Sequence, residues 1–395
     1  MPRSIVPSAV AINGPVPSSF GTSLWPYASN EGRALREPTL NELRSLQREA
    51  GYPLVSVSLA TAPDVLVGPE HLARIEVLLH DARQRLMLEF DGAQADFLLD
   101  KLRERAALLR GQRTSHGIVL FGSERICRTY RVASRIEDRV VIDPTFATRD
   151  LARSLALNPR YRLLLLTQDS ARLLVGSGEH LTEVNDGLFP ALARLDERGR
   201  RKRAGDREKK ELHDVATFVR QVTVAFKAHS ADEDLPLVAV ASTAMRGMFK
   251  SSAEIQPIGM VVGSYEKASI GRLSKLARPV IDAHLGDLRA RAIERFDEAV
   301  GARQAAVGIN HVWSAAQREM IDTLLVDESF RFPAWTTLGG RNLVRAFTPE
   351  SPDVLDDAVD EVIEMVQRVD ARVCFVRPGE LGADKIAAVL ARKAS

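Results

Sequence analysis

The sequence predicts a mixed α/β and α+β fold of three domains, and three observations support this prediction. The chain has 395 residues, a length that suggests about two to three domains. Hydrophobic residues make up 45% and charged residues 27%, a composition typical of globular domains with apolar cores. Short apolar runs with strand patterns alternate with amphipathic helical stretches. A proline-rich segment, residues 1–37, precedes them, and we expect it to be a tail without a fold of its own.

The first predicted domain, residues 38–152, is α+β in character. Thr39 and Glu42 have the spacing of a capping box, which predicts the start of a helix. Apolar periodicity then predicts two longer helices and four strands. The helices are expected at residues 70–89 and 93–109, and the strands at 53–59, 117–121, 127–132 and 139–142.

The second predicted domain, residues 153–285, opens with a fully apolar run that is typical of a central strand. Four strands are expected, at residues 161–167, 171–175, 180–184 and 237–241. Between the third and the fourth strand, the sequence predicts a basic loop at 194–210 and then a long helix. A further helix is expected at 268–285, with an interruption at Pro279.

The third predicted domain, residues 286–395, alternates helices with strands, which predicts an α/β sandwich. The strands are expected at residues 321–326 and 372–376, and the helices at 288–300, 312–320, 354–369 and 380–392. Residues 330–348 are expected to be irregular.

Charge and cysteine content narrow the classes of function. The net charge is +2, so contact with a nucleic acid has to come from a local basic patch. Cys127 and Cys374 lie far apart and form no Cys-x-x-Cys pair, so we expect neither a zinc site nor a disulfide. No apolar run reaches the roughly 18 residues of a membrane helix, and we recognise no signal peptide. We therefore expect a cytoplasmic protein without a membrane partner.

The basic segment, residues 194–210, is the strongest candidate for a binding site. It contains nine Lys or Arg residues against four Asp or Glu residues, and five of the six residues at 198–203 are positive. Arginine binds phosphate through two parallel hydrogen bonds, so this density suits an arm that neutralises RNA phosphates. The alternative of a solvated junction between loop and helix stays open. The candidate RNA-binding residues are Arg198, Arg200, Arg201, Lys202, Arg203, Arg207, Lys209 and Lys210.

Motifs for other chemistry are missing from the sequence. The eight histidines form no pair with metal-binding spacing, and neither a Walker loop nor a Gly-x-Ser-x-Gly elbow occurs. Asp169 follows a predicted strand and is interpreted as a turn residue. We therefore predict no catalytic residue, no metal site and no cofactor.

Three stretches, in this order, resemble the bacterial relatives of the archaeo-eukaryotic release factors, including Pelota-like proteins. Residues 161–178 resemble the hairpin that opens the family's middle domain. Residues 205–212 with 236–241 resemble its basic loop, helix and following strand. Residues 315–326 with 371–376 resemble the helix–strand signature of its third domain. The resemblance covers roughly residues 150–395 and depends on the order and spacing of these patterns.

This resemblance implies an RNase-H-like middle domain, a C-terminal sandwich like that of ribosomal protein L7Ae, and a ribosomal partner. It implies contact with rRNA, with tRNA as a further candidate, and an elongation-type GTPase as a candidate delivery factor; no DNA partner is expected. Release factors of the family present a Gly-Gly-Gln loop, whose glutamine helps to place the water that cleaves peptidyl-tRNA. The equivalent residues here, 186–210, contain no glutamine, and the Asn-Ile-Lys-Ser motif is also missing.

The expected function is therefore that of a translation factor that binds the ribosomal A site in hibernation or rescue, as Balon-type relatives do under stress. Catalytic activity is not part of this expectation. One alternative is an enzyme that hydrolyses peptidyl-tRNA or another ester through a different catalytic group. Another is a scaffold protein that uses the same fold away from ribosomes, because a fold alone does not determine function.

Overall fold

The computed structural model describes residues 35–178, 180–192, 204–231, 233–252, 254–337, 339–347 and 354–391. The fold is mixed α/β, as predicted. The chain forms two compact units, one of residues up to Arg153 together with Arg295 onward, the other of Ser154–Glu294. The predicted domain boundaries stay predictions. Among the described helices, none has both the length and the apolar composition that crossing a membrane requires.

The first unit contains a four-stranded antiparallel sheet with the order β3-β2-β1-β4. Its strands are β1 (Leu54–Ala60), β2 (Gly117–Gly122), β3 (Cys127–Val132) and β4 (Arg139–Asp143), and its helices are α1 (Leu40–Gln47), α2 (Pro69–Leu86), α3 (Gly92–Ala107) and α4 (Arg149–Leu157). Thr39 and Glu42 form the predicted capping box at the start of α1. Helices α2 and α3 pack on one face, where Val57, Leu79 and Leu99 are fully buried.

The same unit contains a second sheet with the order β11-β16-β12-β15 and a short hairpin. The strands are β11 (Ala305–Val307), β12 (Ile321–Asp327), β15 (Arg372–Val376) and β16 (Ile386–Leu390), and the hairpin is formed by β13 (Ala334–Thr337) and β14 (Asn342–Arg345). The helices are α8 (Ile309–Gln317) and α9 (Ala358–Arg368). Strand β12 pairs parallel to β15 and antiparallel to β16, which gives the predicted α/β layering.

Two sequence expectations for this sheet are wrong. The helix predicted at residues 380–392 is a turn followed by β16, which pairs with both β11 and β12 in the interior of the sheet. Gly379 and Gly382 adopt positive φ angles of 90° and 62°, which end any helical path there. A short apolar run cannot be assigned to helix or strand by its periodicity, and sheet pairing decided the outcome. The irregular segment predicted at 330–348 contains the β13–β14 hairpin.

The second unit contains a sheet with the order β10-β9-β5-β6-β7, and a short strand β8 pairs with β6. The strands are β5 (Arg160–Leu166), β6 (Ser170–Ser177), β7 (His180–Glu183), β8 (Ala191–Leu192), β9 (Leu237–Ala241) and β10 (Gly259–Val262). Strands β5, β6 and β7 form an antiparallel meander, and β9 and β10 run parallel to β5. This order and these directions are those of the predicted RNase-H-like fold.

Helices cover both faces of this sheet. Helices α5 (Ala204–His229) and α6 (Thr243–Ser252) pack on the face that contains Leu164 and Leu166. Helix α7 (Ile270–Gly301) packs on the opposite face, which contains Leu163 and Leu165. The sheet is therefore buried on both faces, which explains why the β5 and β9 sequences are apolar throughout.

Helix α7 corrects a further expectation, because it is continuous over 32 residues and contains Pro279. The helices predicted at residues 268–285 and 288–300 belong to this one helix. A proline inside a helix removes one hydrogen bond and costs about 3 kcal/mol. Leu273, Ala277 and Ile281 lie on the buried face on both sides of Pro279, and their packing offsets that cost.

Candidate RNA interface

The turn that precedes the basic segment is held by the carboxylate of Asp186. Its Oδ1 accepts hydrogen bonds from the N–H groups of Leu188 and Phe189, both at 2.9 Å. Its Oδ2 lies 2.9 Å from Nδ1 of His229 at the end of α5. The bonds from Phe189 and Leu188 and the contact with His229 hold the pKa of Asp186 below its usual range. One carboxylate therefore ties this turn to the last residue of the helix that follows the basic segment.

Phe189 anchors the same turn in the core. Its side chain is 1% exposed and packs with Leu164, Phe218 and Val222. The peptide bond between Phe189 and Pro190 is cis. Burying an aromatic side chain of this size fixes the turn against the α5 face of the sheet.

Strand β8 ends at Leu192, before the basic segment, and helix α5 begins at Ala204, within it. Ala191 and Leu192 of β8 pair with Ala171 and Ser170 of β6, so the chain leaves the sheet beside the β5–β6 turn. Asp169 lies in that turn and accepts a 2.7 Å hydrogen bond from the Thr167 hydroxyl, as a turn residue does.

From Val215 onward, described side chains of helix α5 pack in the hydrophobic core. The helix contains 26 residues, which at 1.5 Å per residue is about 39 Å. Its described core side chains lie between Val215 and Phe226. The eleven residues from Ala204 to Asp214 thus extend the helix by about 16 Å on the N-terminal side of Val215.

The structure places the eight candidate RNA-binding residues in two groups. Arg198, Arg200, Arg201, Lys202 and Arg203 lie outside the described residues. Arg207, Lys209 and Lys210 lie in the first two turns of α5. The predicted loop 194–210 is therefore helical from Ala204 onward, because the Glu, Lys and Arg residues of this stretch have high helix propensity.

Sequence reasoning missed the pair Asp186–His229. The tripeptide Asn185-Asp186-Gly187 is a turn signal that points to the first member. No local pattern links it to His229, which is 43 residues further along the chain. Their contact depends on the packing of α5 across the sheet.

A comparison with models of protein families shows which family this part of the chain resembles. Residues 160–319 match the model of Bacterial archaeo-eukaryotic release factor family 3. The matched residues include the hairpin 161–178, the basic segment and helix α5. The predicted family resemblance is confirmed. No curated protein matches the sequence.

Solved structures of release-factor and Pelota proteins also match, at low identity. The archaeal translation termination factor aRF1 is 14% identical with a TM-score of 0.23, and the match covers 89% of this chain and 96% of that one. Archaeoglobus fulgidus Pelota is 15% identical with a TM-score of 0.32, covering 90% and 93%. S. cerevisiae Dom34, described as interacting with Hbs1, is 9% identical with a TM-score of 0.35, covering 90% and 93%.

Proposed function

We propose that this protein is a ribosome-associated translation factor that contacts rRNA through its basic segment, residues 194–210. The observation that supports this most directly is the family match over residues 160–319, which includes the whole basic segment. Charge and family point to the same partner, since ribosomal RNA is a dense polyanion and this segment has nine cations against four anions.

The basic segment suits phosphate contact for two physical reasons. Six of its nine cations are arginines, which bind phosphate bidentately and remain charged at all physiological pH values. The described residues on both sides of 193–203 are anchored, by Asp186 and Phe189 before them and by the packing of α5 after them. Anchored flanks limit the conformational entropy that the chain loses on binding.

We further propose binding at the A site in hibernation or rescue, with rRNA, and in some states tRNA, as contacts and an elongation-type GTPase as delivery partner. The sequence contains no Gly-Gly-Gln tripeptide, which supports a role other than peptide release. In this proposal the protein acts in the cytoplasm, in part when the cell is under stress. It acts by occupying the ribosome and does not catalyse hydrolysis.

Co-sedimentation tests the proposal. Purified full-length protein is mixed with bacterial ribosomes at low salt and separated on a sucrose gradient, and we expect it in the ribosomal fractions. Absence from those fractions would overturn the proposal. Stalled complexes with labelled peptidyl-tRNA are incubated in parallel, and we expect no release of peptide; efficient release would favour the hydrolase alternative.

A further inference from the structure

A cavity of about 560 Å³ lies in the second unit, where the C-terminal end of α5 meets strands β5, β6 and β7. Its polar side chains are those of Arg160, Arg162, His180, Thr182, Glu183, His229 and Glu233. The volume lies within the range of small-molecule sites, roughly 300–1,000 Å³. Asp186 and the basic segment do not line this cavity, but His229, which contacts Asp186, does.

Arg162 is the unusual residue of this cavity. It is 3% exposed, and its Nη1 donates a 2.8 Å hydrogen bond to the backbone carbonyl of Glu233. Its guanidinium carbon lies over the ring of Phe226, 6.0 Å from the ring centre. Its Nε is buried and has no hydrogen-bond partner among the described residues. Burial lowers the pKa of Arg162, as is expected for a cation removed from water.

The carboxylates around the cavity are bound to other cations. Glu233 holds Arg160 through two bonds of 2.7 and 2.9 Å. Glu183 holds Arg172 through two bonds of 2.7 Å. No carboxylate of the described residues therefore hydrogen-bonds Arg162, whose charge is buried without a directly bound anion. Burying a charge without such a partner is costly.

We propose that this cavity binds a small phosphate-bearing anion, either inorganic phosphate or the phosphate group of a mononucleotide. Phosphate oxygens would accept from the guanidinium of Arg162 and from the Thr182 hydroxyl, and the negative charge would compensate the buried cation. The cavity is larger than one phosphate, and Val175 and Val184 supply an apolar wall against which a nucleoside can pack. This proposal does not rest on the proposed ribosome binding.

Titration of the full chain tests the proposal in three arms: inorganic phosphate, a purine mononucleotide and a short oligoribonucleotide. Calorimetry is expected to show saturable binding of phosphate or the mononucleotide, and the arm that binds more tightly identifies the source of the phosphate. The variant Arg162→Gln is expected to bind roughly tenfold or more weakly, since a charge-assisted hydrogen bond is lost. Arg278→Gln is the matched control, because it removes the same charge from α7, on the opposite face of the sheet, and is expected to leave binding unchanged.

If Arg162→Gln does not fold, nuclear magnetic resonance of the wild type provides a second test of the proposal. Ring signals of His180 and His229 are expected to shift on addition of the anion, while the signal of His311 in the first unit stays fixed. Absence of saturable binding, equal affinity of Arg162→Gln and wild type, or uniform shifts of all three histidines would overturn the proposal. Binding of the oligoribonucleotide alone at this cavity would also overturn it.

Discussion

Arg149 and Asp357 form a buried ion pair in the first unit. Nη1 of Arg149 lies 2.9 Å from Oδ2 of Asp357, and the two side chains are 2% and 1% exposed. The other oxygen of Asp357 accepts from the N–H groups of Val359 and Phe332, and Nη2 of Arg149 donates to the carbonyl of Asp327. The pair joins the first residue of α4 to the N-cap of α9, 208 residues apart in the chain.

We predict that Arg149→Met lowers the free energy of unfolding by about 3–5 kcal/mol, because it leaves the charge of Asp357 buried without its partner. Urea unfolding followed by circular dichroism measures this. The control is Arg44→Met, which removes the exposed pair with Asp370 and is expected to change stability by less than about 1 kcal/mol. Equal losses of unfolding free energy in the two variants would contradict a stabilising role of the buried Arg149–Asp357 pair.

Around this pair, several carboxyl groups share one buried region, and burial there raises their pKa values. The pKa of Asp143 rises to about 9, mainly through burial and then through the charges of Asp356 and Glu361. The pKa of Asp360 rises to about 7, mainly through burial and then through the charge of Asp357, while Arg139 opposes the rise.

A carboxyl with a raised folded-state pKa binds its proton more tightly when the protein is folded. Stability therefore falls as pH rises from the unfolded pKa, near 4, to the folded value. The pH range over which stability falls ends near pH 7 for Asp360 and near pH 9 for Asp143.

We predict that Asp143→Asn makes the loss of stability between pH 5 and 9 shallower. The amide is neutral at every pH, so the variant is expected to be more stable than wild type at pH 8 by at least about 1 kcal/mol. Urea midpoints measured across the range test this. Asp64→Asn, a change at an exposed aspartate, is the control and is expected to follow the wild-type profile; a profile of Asp143→Asn parallel to wild type would refute the prediction.

Replacement of Arg200, Arg201, Lys202 and Arg203 by alanine is expected to weaken ribosome binding and to flatten its dependence on salt. Each lost phosphate contact lowers the slope of log K against log salt by about one unit. Affinities at several salt concentrations measure this slope. Alanine at Arg272, Lys275, Arg278 and Arg291 of α7 removes the same charge elsewhere and is expected to have a smaller effect; equal slopes for the two variants would show that the basic segment is only solvated.

Phe189→Ala is expected to destabilise the second unit by about 3–5 kcal/mol, because it opens a cavity in the core. Leu188→Ala at the neighbouring position is the matched control, since Leu188 is 45% exposed, and we expect a change of less than about 0.5 kcal/mol. Hydrogen exchange of the β8 and α5 amides reads out the local effect. Indistinguishable exchange in the two variants would show that Phe189 does not anchor the turn.

Elements whose patterns are local could be predicted from the sequence. The capping box of α1 uses two residues three positions apart, and the strands β9 and β15 have the predicted bounds. The family resemblance also comes from the sequence, because the order of apolar runs in residues 160–319 reflects the order of strands and helices. So does the basic segment, whose charge density needs no structure to be seen.

Only the tertiary structure decided the remaining features, because their energies come from partners distant in the chain. Ile386–Leu390 is a strand since two neighbouring strands pair with it, although its apolar run also fits a helix. Pro279 lies within a continuous helix since core packing on both sides offsets its cost. Arg149 meets Asp357, and Arg162 lines a cavity without a carboxylate bound to it, through packing that no local pattern encodes. The helix or strand propensity of one residue contributes only tenths of a kcal/mol to stability. Burial of apolar side chains and pairing with distant partners contribute more.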